Sequence, residues 1–265
     1  MTSSLGSTGF ACKRRVADTV AAVFTHGAVG SPAVEWLLGL LDEAYGRGGG
    51  PGYVELHVYS SLSLLRAALS REEEREGVLV AADYPVAHEA WTGVPRIHVA
   101  LAEGVYGLPK PEAEALIVHE AIHAVLHGSP EYYLVPVTGS LLAAYTAATA
   151  LKDLEVHIEM KKRSLTRHLY GLQAYWLRTY GGELPCTTSE DIFNTLKAST
   201  VWIALRQQPP LARQCSKKLR KPLDNLSHIA RQYQQGKVRP WHLLGEYTKL
   251  IEETLNSITT QAVNN

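Results

Sequence analysis

The segment from Ala115 to Gly128 reads ALIVHEAIHAVLHG and predicts a buried helix. Its apolar run is interrupted by His119, Glu120 and His123, and side chains four residues apart lie on one face of a helix. Both imidazoles can therefore hold one metal ion, with the Glu120 carboxylate beside it as a general base. Burying these groups without a metal ion or hydrogen-bonded partners would be costly, so the alternative is a histidine pair satisfied within the core.

The boundaries of this helix follow from the residues around it. Pro111 suits its first turn, and Gly128 followed by Pro130 ends it at about His127. His127 shares a face with His123. It is expected to support the metal ligands, to contact a substrate, or to be a cation favoured by the helix C-terminus.

Apolar spacing and breaking residues divide the rest of the chain into two parts. The first part predicts helices over 14–28, 32–46 and 60–71 and strands over 53–59, 77–82 and 96–101. From residue 139 onward the spacing predicts helices alone, over 139–163, 165–179, 189–207, 211–235 and 240–258. The expected fold class is α+β, with a small mixed sheet and helices in an N-terminal lobe, 1–130, and an all-helical C-terminal lobe, 131–265.

The heptapeptide from Val118 to Ala124 resembles the active-site helix of the zincin superfamily of metallopeptidases. The resemblance covers roughly 53–163, since three strands followed by this helix are similar to the zincin upper lobe. It implies a zinc-dependent peptidase with an active-site cleft between two lobes. The metzincin pattern HExxHxxGxxH is absent, because no glycine occurs from Ala124 to Leu126. The chain is more similar to the gluzincins, which take a third metal ligand from a glutamate on a later helix.

The segment from Leu151 to Glu159 offers such a glutamate. With a rotation of about 100° per residue, Glu155 falls within a stripe of Ala, Leu and Ile side chains, whereas Asp153 and His157 fall on the opposite side. A carboxylate in such a stripe needs a positive partner. Glu155 is therefore the expected third metal ligand, and a buried ion pair with Arg or Lys is the alternative.

Three further roles follow from the resemblance. The resemblance implies that Glu159, one turn after Glu155, orients a metal-binding histidine through its carboxylate. The family more often has Asp at this position. The alternative is a solvated carboxylate paired with Arg163. The strand 96–101 resembles the edge strand that pairs with an extended peptide, with an ordinary internal strand as the alternative. Zincins also stabilise the oxyanion with a Tyr or His, for which the candidates are Tyr132, Tyr133, Tyr145, His168, Tyr170, Tyr175 and His228.

The cysteines and the apolar segments indicate a soluble, cytoplasmic protein. Cys12, Cys186 and Cys215 are far apart, which predicts neither a disulfide framework nor a cysteine-rich zinc site and fits a reducing compartment. The N-terminal segment lacks the apolar run of a signal peptide. The most apolar window, 141–151, is much shorter than the roughly 20 residues that a membrane span requires.

Charge is unevenly divided along the chain, although the net charge is zero. Residues 161–265 contain 16 Lys and Arg against 7 Asp and Glu (+9), which leaves 10 against 19 (−9) in residues 1–160. The favoured interpretation is that the two lobes attract each other or that the charges are solvated surface, as for the basic cluster from Arg213 to Lys221. The alternative is an anionic partner.

Two functions are consistent with these patterns. The first is a zinc metallopeptidase that binds one Zn²⁺ through His119, His123 and Glu155 and cleaves a peptide or protein substrate, with Glu120 as the base. The second is a zincin-shaped binding or regulatory protein with a protein or nucleic-acid partner and little or no catalysis. Steep salt dependence of nucleic-acid binding would support the second function.

Overall fold

A computed structural model describes residues 8–76, 84–135 and 140–263. The chain divides into two compact units, Met1–Tyr133 and Leu134–Asn265. The first unit combines a sheet with helices, and the second unit is helical, so the fold class is α+β.

The first unit contains a mixed five-stranded sheet. Its elements are β1 (Thr8–Val16), β2 (Thr19–His26), α1 (Ser31–Gly46), β3 (Tyr53–Ser61), α2 (Leu62–Glu76), β4 (Val86–Glu89), β5 (Arg96–Ala102) and α3 (Lys110–Leu126). The strand order is β1-β2-β3-β5-β4. The three central strands are parallel, and β1 and β4 pair antiparallel at the two edges. Helices α1 and α2 supply the crossover connections that parallel neighbours require.

The helix predicted over 14–28 is wrong, because this segment lies in the antiparallel pair of β1 and β2. The chain reverses at Ala17, whose φ of 50° is in the left-handed region. Strand β2 buries Ala21, Ala22 and Val23 in succession, as interior strands covered on both faces do. Such a short continuous apolar run has no clear period, so spacing alone could not separate strand from helix.

Other predictions in the first unit are confirmed. Strands occur at 53–59 and 96–101, and helices at 32–46, 60–71 and 111–127 agree with α1, α2 and α3 apart from their ends. Helix α2 continues through Glu76, beyond the predicted end at residue 71. The predicted strand 77–82 lies outside the described residues.

Of the two interpretations of 96–101, the edge strand is wrong and the internal strand is confirmed. Strand β5 lies between β3 and β4, so it is internal, and β4 is the edge in the part of the chain that the structure describes. Strand β4 has only four residues and lies between the predicted strands 77–82 and 96–101, where the sequence predicted no element. Its hydrogen bonds to β5 define it, and a run this short has almost no periodicity of its own.

The two faces of the sheet differ in chemistry. Leu56 and Val58 of β3 are fully buried on one face, whereas the alternate residue His57 lies on the other. There the ring of His57 stacks on that of His98 with centroids 5.0 Å apart. Arg96 next to them donates to Glu55 at 2.9 Å and to Glu89 at 3.1 Å. The polar face is therefore an ordered network of paired groups.

The second unit consists of helices around one apolar core. They are α4 (Leu141–Lys162), α5 (Thr166–Thr179), α6 (Ser189–Leu205), α7 (Cys215–Lys218), α8 (Arg220–Gln234) and α9 (Leu244–Val263). The predicted helices are confirmed, except that 211–235 divides into α7 and α8. Helix α4 is central, since it packs against α5, α6, α8 and α9.

This central position explains one wrong prediction. Asp153 and His157 were placed on the side of α4 opposite its apolar stripe, yet both are buried, and His157 is 1% exposed. Helix α6 covers that side, and Nδ1 of His157 lies 3.0 Å from Oγ1 of Thr200. A helix enclosed by neighbours on several sides has no solvent face for a single stripe to define.

The cysteine interpretation is also wrong. Cys186 and Cys215 form a disulfide in the core of the second unit, and Cys12 is free. The segments carrying the two cysteines are aligned by a backbone bridge between Leu184 and Leu211. This contact joins residues distant in sequence, so spacing could not reveal it.

Among the described helices, none is long and apolar enough to cross a membrane.

The buried His157 gives a prediction for pH-dependent stability. Burial is the main cause that lowers the pKa of His157 from 6.5 to about 4. As the pH falls, the unfolded chain takes up this proton before the folded chain does. The stabilising contribution is therefore present above pH 6.5 and lost between pH 6.5 and 4, at up to about 1.4 kcal/mol per pH unit.

We expect His157→Asn to flatten the decline in unfolding free energy over this pH range, because the Asn amide can keep the bond to Thr200 without titrating. Urea unfolding at a series of pH values measures the effect. His228→Asn, at an exposed position on α8, is the control. Equal pH dependence in wild type and His157→Asn would contradict the assignment.

Candidate metal centre

Helix α3 places the histidine pair in the interior of the first unit. It begins after Pro109, with Pro111 in its first turn, and it packs against α1, β4 and β5. His119 is 6% exposed and His123 is 7% exposed. The apolar residues around the pair are buried as well, as the sequence predicted.

The side chains of the motif converge on one point. Nε2 of His119 lies 3.0 Å from Nε2 of His123, and the rings are nearly perpendicular at 79°. Oε1 of Glu120 lies 4.0 Å from Nε2 of His119. The potential ligand atoms of the three residues all lie within 4.8 Å of one another, so the group could hold a metal ion.

The separation of the two Nε2 atoms can be compared with zinc chemistry. Tetrahedral Zn²⁺ with Zn–N bonds of about 2.0–2.1 Å holds two imidazole nitrogens about 3.3 Å apart. The observed 3.0 Å is close to this value, and both rings already point their Nε2 atoms at the shared position. The histidine pair therefore fits a tetrahedral cation with only a small adjustment of the side chains.

His127 lies directly behind this pair. It is fully buried, and its Nδ1 lies 2.9 Å from Nδ1 of His123. When the Nε2 atoms of both ligands face one cation, each ligand ring carries its proton on Nδ1, and His123 then donates to His127. Of the three roles expected for His127, support of a ligand is the one that this contact describes.

Two further groups face helix α3. One is His88 on β4, and the other is Tyr133, which follows the helix in sequence. The ring of His88 on β4 stacks on that of His123, with centroids 5.9 Å apart and planes at 15°. Nδ1 of His88 lies 2.9 Å from the hydroxyl of Tyr133. Sequence reasoning missed His88, because β4 itself was not predicted, whereas Tyr133 was one of several candidates.

Electrostatics keep Tyr133 protonated. Burial raises the pKa of Tyr133 well above its usual value of 10, and the nearby carboxylates of Glu89 and Glu120 add to the effect. A neutral phenol can donate a hydrogen bond.

The two predicted carboxylates of α4 belong to the second unit. Glu155 is 1% exposed, and Nε of Arg239 donates to its Oε1 at 2.8 Å. Glu159 accepts from Nε of Arg163 at 3.0 Å and lies 3.7 Å from Nζ of Lys162. Both carboxylates thus have the cationic partners that were given as the alternatives to metal-related roles.

The remaining oxyanion candidates are divided between the units. Tyr132 belongs to the first unit, where its ring meets His127 edge-on at 4.8 Å. The others, Tyr145, His168, Tyr170, Tyr175 and His228, lie on helices of the second unit. Tyr133 is the one candidate for which a hydrogen bond to His88 and an interaction with Glu120 are both described.

Comparisons with protein-family models, with curated proteins and with solved structures found no match to this chain.

Proposed function

We propose that the protein is a zinc-dependent metallohydrolase of zincin type, most consistent with a peptidase. The observation that carries the proposal is the convergence of two buried imidazole Nε2 atoms, 3.0 Å apart, with the Glu120 carboxylate 4.0 Å from one of them. Neutral imidazoles with a carboxylate beside them are the groups that a catalytic zinc site uses.

When bound, Zn²⁺ supplies Lewis acidity, which makes a water molecule more acidic and polarises a carbonyl group. His119 and His123 would hold the ion through Nε2, and His127 would accept the Nδ1 proton of His123. Glu120 takes the proton from the attacking water and passes it to the leaving amine, since its carboxylate is the base beside the ligands.

Tyr133 is the proposed stabiliser of the oxyanion. Its phenol stays neutral, so it can donate a hydrogen bond where negative charge develops on the substrate carbonyl oxygen. For this donation His88 carries its proton on Nδ1 and donates to the phenol oxygen, which leaves the phenol proton for the substrate. His88 is therefore a positioning residue, and it links the edge strand to the site.

A peptide is the proposed substrate class, by the resemblance to zincins and by the position of β4. An edge strand offers unpaired backbone groups to an extended peptide. In the described part of the sheet this position belongs to β4, which also carries His88. The pairing role expected for 96–101 is accordingly reassigned to β4.

Glu155 remains the proposed third ligand, and Glu159 the proposed orienting carboxylate. Arg239 is the cation that competes with zinc for Glu155. Separate substitutions of Glu155 and of Arg239 can show whether the Glu155 carboxylate binds zinc or only the guanidinium.

Glu120→Gln should separate metal binding from turnover. We expect about one zinc per chain to remain, because both histidines are intact, and cleavage of a fluorogenic peptide library to fall by about 10²–10⁴-fold. Elemental analysis and the library assay measure the two effects. Glu114→Gln, at the Lys110 ion pair near the start of α3, is the matched control and should retain activity. Wild-type cleavage rates in Glu120→Gln would exclude this mechanism, and wild type that binds no zinc would exclude the metal centre.

Glu155→Gln and Arg239→Gln together test the third ligand. Gln still accepts a hydrogen bond from Arg239 but is a poor ligand for zinc, so we expect Glu155→Gln to weaken zinc binding by at least about 10-fold. Arg239→Gln should leave zinc affinity equal or higher. Competition with a zinc-chelating dye gives both affinities. Unchanged zinc affinity in Glu155→Gln, with lower stability in both variants, would assign Glu155 to the ion pair alone.

Tyr133→Phe tests the oxyanion role. Loss of one hydrogen-bond donor at a developing oxyanion lowers kcat by about 10²–10³-fold, whereas KM and zinc content should change little. Steady-state kinetics on a peptide selected from the library measure this, with Tyr106→Phe at an exposed position as the control. A kcat within about twofold of wild type would remove Tyr133 from the mechanism.

A further inference from the structure

The second unit contains a basic groove between the C-terminal end of α6 and helix α8. The cavity has a volume of about 510 Å³. Two arginines and four glutamines contribute most of its polar lining, namely Arg206, Arg231, Gln207, Gln208, Gln234 and Gln235. No acidic residue lines it.

A second cavity of about 410 Å³ continues this groove. It shares Arg206 and Gln234 with the first cavity and adds Lys161 and Lys162 of α4. No acidic residue lines this cavity either. The basic groove, defined as these two cavities together, thus presents four cationic side chains in two cavities that share Arg206 and Gln234.

The two arginines are not neutralised by carboxylates. Arg206 donates through Nη2 to Oε1 of Gln234 at 3.1 Å, which is a bond to a neutral amide. Within the described ranges, neither Arg206 nor Arg231 forms an ion pair with an acidic residue. Lys161 donates to the carbonyl oxygen of Ala204, and Lys162 lies 3.7 Å from Glu159, so the lysines are engaged in part.

The surrounding charge favours anions as well. Residues 134–265 contain 17 Lys and Arg against 10 Asp and Glu, a balance of +7. Positive charge of this kind raises the local concentration of anionic ligands and accelerates their association. The groove is therefore a concave, positively charged site within a positively charged unit.

We propose that the basic groove binds single-stranded nucleic acid, with successive phosphates at the two adjoining cavities. Guanidinium groups match the geometry of phosphate oxygens in paired hydrogen bonds. The glutamine amides both donate and accept, which is the chemistry needed to meet base edges of any sequence. This proposal concerns the second unit and does not depend on the metal centre.

The residues that line the groove also predict which contacts contribute most to nucleic-acid binding. The described residues that line the groove include no aromatic side chain, and the nearby ring of Tyr233 already has Nζ of Lys162 over it at 4.4 Å. Base stacking therefore contributes little, and binding depends mainly on phosphate contacts. Such binding tolerates many sequences and weakens steeply as salt is added.

Arg206 permits a substitution that is compatible with the fold. It follows α6 with a φ of 61°, a left-handed conformation that glycine adopts without strain at helix ends. Arg206→Gly removes the guanidinium and suits this backbone. Arg231 lies on the exposed side of α8, so Arg231→Gln should also leave folding intact.

The experiment is fluorescence anisotropy of labelled oligothymidylate with the full chain, over a range of salt concentrations. We expect the slope of log affinity against log salt to decrease in magnitude by about 0.7 for each removed phosphate contact. Affinity should fall about three- to tenfold in Arg206→Gly and in Arg231→Gln, and Arg231→Lys should retain most of it. Thermal unfolding verifies that each variant is folded.

Arg220→Gln is the matched control, since Arg220 begins α8 outside the groove and lies 3.7 Å from Asp224. It should bind oligothymidylate as wild type does. Three results would each overturn the proposal: no binding at low salt, equal loss in the control, or equally good competition by polyglutamate at matched charge. The last result would mean that the groove attracts any polyanion rather than nucleic acid.

Discussion

Burial of one face of α3 is the constraint on which the candidate site depends. The apolar residues on both sides of the motif hold the helix in the interior, so His119 and His123 cannot turn towards solvent. Their Nε2 atoms consequently approach to 3.0 Å. At this separation two imidazoles either share one proton or share one cation. Glu120 beside them supplies the carboxylate that the proposed hydrolase would use as its base.

The buried polar groups of this protein follow two different rules. Glu155 has Arg239, whereas Glu89 and Glu55 share Arg96, so each of these carboxylates contacts a guanidinium in its own unit. The histidine pair instead brings two electron-pair donors together. Charge pairing stabilises the first kind of group without any ligand, whereas the second kind gains most from a cation. This difference separates the candidate site from the structural ion pairs.

Sequence reasoning succeeded where the information is local. The helical spacing of His119 and His123 and the stop at Gly128 determine α3 almost residue by residue, and the burial of Glu155 followed from its neighbours on α4. It failed where distant segments decide the outcome. Three features depend on pairing between segments, which a local sequence pattern cannot predict. They are the hairpin of β1 and β2, the four-residue β4 and the Cys186–Cys215 disulfide.

The same limit explains why the sequence could propose the candidate ligands more easily than the groups around them. A spacing of four residues is enough to predict a pair of candidate ligands on one helix. His88, in contrast, contacts His123 only because β4 pairs with β5 and packs against α3. Glu155 illustrates the converse case. Its stripe predicted a cationic partner correctly, yet Arg239 lies 84 residues later in the chain, beyond any helical period. Burial can thus be inferred from local pattern, whereas the identity of the partner is a property of the fold.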